Sequence, residues 1–173
     1  TIKSLKNQSF KDYEHIILDG ESTDGTSEFL KNASNKKTLH FREKDKSVYD
    51  ALNKSFKKAK GDYFIVLHSG DFFYSKHSLS ILSKFIDNNK DYDFYYSNIL
   101  FYNQINKNVS RVWKMQSKND DKLNFLKIAH TSLCIKKNIL NKIFYDEKFK
   151  ISADMDYLLK LSQNHKGKYF DNF

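Results

Sequence analysis

The chain has 173 residues, enough for one domain with a sizeable core. Lys+Arg 30 against Asp+Glu 21 leaves a formal charge of +9, and only Arg42 and Arg111 are arginines; the excess is lysine, a hydrated point charge suited to diffuse attraction of anions rather than bidentate reading of bases or phosphates. Hydrophobic residues at 39% and aromatic residues at 16% exclude a disordered polyelectrolyte, and one cysteine excludes both a disulfide framework and a cysteine-built zinc site. No apolar run approaches the roughly 20 residues of a membrane span.

Helical spacing of Ile2 and Leu5 opens the chain, followed by a buried-strand run His15-Ile16-Ile17-Leu18 that ends at Asp19-Gly20. Turn and cap residues Ser22 to Thr26 lead into a helix whose apolar face includes Phe29 and Leu30, and Leu39 to Phe41 reads as a short strand. Val48, Leu52 and Phe56 mark a second helix, closed by Gly61 before a strand from Tyr63 to Leu67. Leu79, Leu82, Phe85 and Ile86 mark a third. Beyond Phe94 the pattern turns to hairpin-like strands, Phe94 to Ser97, Ile99 to Tyr102 and Val109 to Trp113. A helix over Asp121 to Ala129, a strand from Ser132 to Lys136 and a helix entered at Asp154 complete the reading. Strand, loop and helix in alternation predict an α/β fold, a Rossmann-like and mainly parallel sheet with helices on both faces and a smaller mixed portion. Ligands of such sheets bind at the carboxyl ends of the strands, which directs attention to the loops after Leu18 and Leu67.

Carboxylates gather at those places: Asp19 with Asp24, Glu43 with Asp45, Asp71, and Asp154 with Asp156. Grouped at one sheet edge they repel unless they share a cation or a hydrogen-bonding ligand. Each alone has an ordinary structural account: Asp24 and Asp154 as helix caps, Asp71 as a turn residue, Glu43 and Asp45 as solvated charges.

Their order carries more. Ile16-Ile17-Leu18-Asp19-Gly20-Glu21-Ser22-Thr23-Asp24-Gly25-Thr26, then Arg42 to Lys54, then Gly61 to Asp71, resembles the donor-binding half of the inverting family 2 glycosyltransferases of GT-A fold, in particular those that build bacterial surface polysaccharides. Ala153-Asp154-Met155-Asp156-Tyr157 resembles the segment carrying the family's catalytic base, and His130-Thr131-Ser132 a polar element before it. The resemblance implies one catalytic domain, residues 1–90 forming the nucleotide-sugar half and 91–173 the acceptor half, with the family's opening strand absent from the sequence. It implies that Asp19 hydrogen-bonds the base or sugar edge of the donor, with the Ser22 to Gly25 turn shaping the pocket, that Asp45, Lys46 and Asn53 line its nucleoside and pyrophosphate side, and that Ser69-Gly70-Asp71 is a variant of the Asp-any-Asp motif in which Asp71 binds Mg or Mn. Asp154 becomes the general base; Asp156, pointing away on the same helix, and His130 take supporting or acceptor-orienting roles. The donor implied is a UDP sugar and the acceptor a glycan or lipid-linked glycan, on the cytoplasmic side, with a lysine-rich surface resting against the inner face of the cell membrane. Three departures stand out: Glu21 replaces a common glycine, His68 a common asparagine, and Gly70 leaves one carboxylate in the metal motif.

Two other readings exist. A basic nucleic-acid-binding domain would use the charge and the interleaved Tyr95, Tyr96 and Tyr102, although no recognition motif accompanies them. A donor-binding fragment without turnover would share every donor contact.

Overall fold

The computed structural model describes residues 1–115 and 128–173. The helix expected over Asp121 to Ala129 falls mostly outside the described residues. In chain order the elements are α1 (Ile2–Lys6), β1 (His15–Asp19), α2 (Thr26–Ala33), β2 (Thr38–Arg42), α3 (Val48–Lys58), β3 (Tyr63–Ile65), α4 (Ser78–Asp87), β4 (Phe94–Ser97), β5 (Ile99–Asn103), β6 (Asn108–Trp113), a 3-10 turn (His130–Ser132), β7 (Leu133–Lys136), α5 (Lys137–Leu140), α6 (Ala153–Asn164) and β8 (Gly167–Phe170).

β1 and β2 pair in parallel, β5 and β6 form an antiparallel hairpin, and a four-stranded sheet has the order β3-β7-β4-β8. In that sheet β7 runs antiparallel to both β3 and β4, while β4 and β8 are parallel. The α/β class holds, but the expectation of a mainly parallel sheet needs correcting: among the described strands, parallel pairing is confined to β1-β2 and β4-β8. A strand from the C-terminal half, β7, lies beside β3, a pairing that alternation within the first 90 residues could not reveal.

β4 shows how period-two alternation divides the core. Phe94 and Tyr96 point to one face, where they meet Leu52 and Phe56 of α3 and Tyr157, Leu158 and Leu161 of α6. Tyr95 points to the other, against Cys134 and Ile86, Leu82 and Phe85 of α4. Helices thus cover both faces. Burial of Tyr95 and Tyr96 removes two of the three tyrosines that a base-stacking surface would have used. Cys134 is likewise core, its thiol pushed up to about 12 by burial.

Two apolar positions expected inside are outside. Phe29 is 62% and Val48 53% exposed, because α2 and α3 bury only a narrow stripe and each residue lies about 100° round the helix from it or at its first turn. α3 begins where Ser47 caps it: its hydroxyl accepts from the Asp50 N–H at 3.2 Å, and Asp50 in turn accepts from the Lys46 N–H at 2.9 Å. β8 and α5 were not anticipated; both are four-residue elements too short for a periodic signal.

Gly167 pairs with Phe94, and a Cβ on it would stand 2.4 Å from the Phe94 ring. Gly167→Ala is therefore expected to lower stability by about 1–3 kcal/mol through overpacking, read as a lower urea midpoint at unchanged slope.

Candidate active site

Three segments converge. The loop after β3 folds back on itself at Gly70 (φ +96°): the Asp71 N–H donates to the His68 carbonyl at 3.0 Å, and the His68 N–H donates to Asp71 Oδ2 at 3.2 Å. The turn before β7 presents His130. The chain enters α6 through Ser152 in the left-handed region (φ +68°), so that Asp154 emerges in the first turn.

His130 Nδ1 lies 3.2 Å from Asp154 Oδ2, and His130 Nε2 lies 3.1 Å from His68 Nε2, with the two rings edge to face at 5.4 Å. The Tyr49 hydroxyl, carried by α3, donates to Asp154 Oδ1 at 3.4 Å. With both imidazoles neutral, one proton arrangement satisfies every contact: His130 donates from Nδ1 to Asp154 and accepts at Nε2 from the His68 Nε2–H. Burial holds the His130 ring below its ordinary value, opposed by the neighbouring Asp154 carboxylate and reinforced by His68. Asp154 is about a quarter exposed, with 26% of its side chain open. The arrangement orients a carboxylate that a hydroxyl group can still approach.

The donor-side positions form two further groups. Asp19, at the end of β1, is nearly buried and accepts hydrogen bonds from the Ser22 N–H at 3.1 Å and from the Ser22 and Ser27 hydroxyls, with His40 Nε2 at 3.6 Å. Asp45 accepts from Lys54 Nζ at 2.7 Å, and the same ammonium lies 3.0 Å from Asp50. Asp45 Oδ2 also flanks Gly20, 3.6 Å from where a Cβ would stand. α3 links these groups to the histidines, since its first turn bears both Asp50 and Tyr49. Lys46 and Ser69 are exposed.

The family model for glycosyl transferase family 2 matches residues 1–151. This chain belongs to that family. It is 30% identical to an uncharacterized glycosyltransferase of Methanocaldococcus jannaschii, covering 100% of this chain and 62% of that protein. A PGL/p-HBAD biosynthesis glycosyltransferase of Mycobacterium tuberculosis is 24% identical over 94% of this chain and 63% of its own length. The chain therefore spans somewhat under two thirds of these relatives. Crystal structures of S. aureus TarS 1-349 are similar in fold: the complex with UDP has a TM-score of 0.79 at 19% identity, covering 99% of this chain and 53% of TarS, and the complex with UDP-GlcNAc has 0.78. The GT-A fold expected from the motifs is thereby shown.

Within the family 2 domain, two expected site residues turn out to be committed elsewhere. Asn53 is buried and bonds the backbone of Tyr145 twice, donating from Nδ2 to its carbonyl and accepting its N–H, each at 2.9 Å. Both polar ends of its amide are thus engaged as a strut between α3 and the Tyr145 segment. Asp156 pairs with Lys160 Nζ at 2.6 Å, one turn along α6, and so points away from Asp154 as its spacing required. His68 and Tyr49 belong to the centre and were not selected from sequence. The substitution of His68 for a common asparagine was the available signal; Tyr49 had none, because its partner lies 105 residues away.

Burial pushes the Asp19 carboxyl up, but the Ser22 and Ser27 hydrogen bonds and His40 outweigh it and hold the group at about 2, below its ordinary 3.8. A depressed acid stabilises the fold above its unfolded value and loses that contribution as pH falls from about 4 towards 2. His130 acts in the same direction at higher pH: its lowered value means that the unfolded chain takes up the proton more readily below 6.5. Unfolding midpoints are expected to fall in both windows, and Asp19→Asn is expected to flatten the more acidic one.

Proposed function

We propose that the domain transfers a sugar from a UDP-activated donor to an acceptor hydroxyl with inversion, in the assembly of bacterial surface polysaccharide. The observation that carries this reading is the contact of His130 with Asp154, beside the loop bearing Asp71. Asp154 takes the proton of the acceptor hydroxyl as its oxygen attacks the anomeric carbon, and the diphosphate leaves from the opposite face. His130 holds the carboxylate in position, and His68 fixes the His130 tautomer. Asp45 and the Asp19-Ser22 loop line the nucleoside side, with exposed Lys46 and Ser69 available to the diphosphate. Support comes from the family match and from TarS, whose complexes hold UDP and UDP-GlcNAc.

A divalent cation, Mg or Mn, fits in one manner. Among the described residues no group of three or more His, Cys, Asp or Glu is arranged to hold an ion. Asp71 offers a single carboxylate engaged by one backbone N–H. Mg keeps waters and substrate phosphates and needs only one or two carboxylates, so Asp71 suits an ion that arrives on the diphosphate. When bound, it would neutralise charge on the leaving group.

The reading is tested by incubating the protein with UDP sugars and a lipid-linked glycan acceptor and following UDP release together with the anomeric configuration of the product by proton NMR. Product of opposite configuration to the donor is expected; retained configuration would contradict single displacement, and no UDP release with any donor would contradict transfer by this chain.

A further inference from the structure

The β5-β6 hairpin stands apart from the core sheets. Its root is fixed: Ile99 and Trp113 pair across the strands and pack on the main core, and buried Asn98 accepts from the Met115 N–H at 2.9 Å and from the Tyr169 hydroxyl at 2.7 Å. Beyond that root Phe101, Tyr102 and Val109 form one wall of a cleft whose other wall includes Asp71 and Phe72, the Tyr102 ring edge to face with Phe72 at 5.6 Å, and only the tip projects into solvent. Phe101, Tyr102, Val109 and Val112 are each 40% exposed or more, and Ile105 at the tip is 90% exposed. The tip is held in shape, because Asn103 Oδ1 accepts from the N–H groups of Ile105 and Asn106. A β-branched residue fully displayed on an ordered turn, where polar residues are the norm, has no partner within the described residues.

Charge defines the occupant. Residues 99–115 contain Lys107, Arg111 and Lys114 and no Asp or Glu. Arg111 lies over the rings of Phe101 and Trp113, at 5.2 and 5.7 Å. Aromatic and aliphatic side chains interleaved with cations, without one acidic residue, match the interface of an anionic bilayer, where apolar groups enter the headgroup boundary and ammonium groups meet phosphates. We infer that the β5-β6 hairpin is a membrane-docking element that inserts Ile105 and its apolar neighbours into an anionic lipid surface. The tip lies outside the residues proposed for transfer, and vesicle binding is read without turnover, so a failed docking test leaves the proposed reaction untouched.

The test uses the whole chain and vesicles of phosphatidylglycerol and phosphatidylcholine in equal parts, with pure phosphatidylcholine as reference. Co-sedimentation measures binding. Trp113, the chain's single tryptophan, reports proximity of the hairpin by energy transfer to dansyl-labelled lipid. Binding to the anionic vesicles with energy transfer is expected, weakened by added salt. Ile105→Asp should reduce it about tenfold, and Lys107→Gln combined with Lys114→Gln about 20- to 30-fold, at roughly fivefold per charge. All three positions are exposed, so these variants should keep the wild-type melting temperature, and Phe29→Asp on α2 should bind like the wild type. Absence of wild-type binding, equal binding by Ile105→Asp, or equal loss in Phe29→Asp would each overturn the inference.

Discussion

Asp154→Asn is expected to slow sugar transfer by roughly 10²- to 10⁴-fold, the range typical of removing a positioned general base, while leaving UDP affinity unchanged. The substitution is isosteric, and the amide oxygen can still accept from His130 Nδ1, so the contact at 3.2 Å survives and only basicity is lost. Asp154 meets Tyr49 and His130 and keeps an open side, whereas the donor-side groups centre on Asp19 and Asp45. Steady-state rates with saturating donor and acceptor, beside a UDP titration of the same variant, separate the two effects. Near-normal turnover would remove Asp154 from the role of base. His130→Gln offers a graded comparison: as a positioning residue it should cost less than Asp154→Asn and should alter the pH dependence of the rate, which a merely structural residue would not do.

Asn53→Ala is expected to be the most damaging polar substitution for stability. It strands the N–H and C=O of Tyr145 in the interior, each at about 1–3 kcal/mol, and so costs about 2–6 kcal/mol in total. At roughly 2–4 °C per kcal/mol for a domain of this size, the melting temperature should fall by about 4–24 °C. The Tyr145 ring stacks on Tyr49 at 5.5 Å and on Tyr157 at 4.5 Å, so its backbone anchor also steadies the hydroxyl that meets Asp154. The folded variant should nevertheless bind UDP as the wild type does. Weakened UDP binding with an unmoved melting temperature would restore Asn53 to the donor site and refute its role as a strut.

These two residues show what sequence could and could not convey. The place of Asp154 in the first turn of α6 was legible because the signal is local: an acidic residue opening an amphipathic helix. The engagement of Asn53 with Tyr145 was not legible, because that partner lies 92 residues away. β1, β3 and β4 announced themselves through continuous apolar runs and β2 through the alternation of Leu39 and Phe41, yet the place of β7 between β3 and β4 depends on pairing with a segment some 40 to 70 residues away. His68 read as a departure from pattern and became meaningful only when His130 was found against it. Asp19 stands at the end of β1 as the apolar run announced, but the hydroxyls of Ser22 and Ser27 that hold its carboxylate are ones a motif cannot orient.

The central claim, that a nucleoside diphosphate binds from the Asp19 and Asp45 groups to the Asp71 loop, with Asp154 and His130 on the acceptor side, is tested most directly by titration calorimetry of the protein with UDP, with and without Mn, for the wild type and Asp71→Ala. Saturable binding strengthened by Mn in the wild type, with the Mn-dependent part lost in Asp71→Ala, is the result predicted. No UDP binding by the wild type, or an identical Mn effect in Asp71→Ala, would contradict the account.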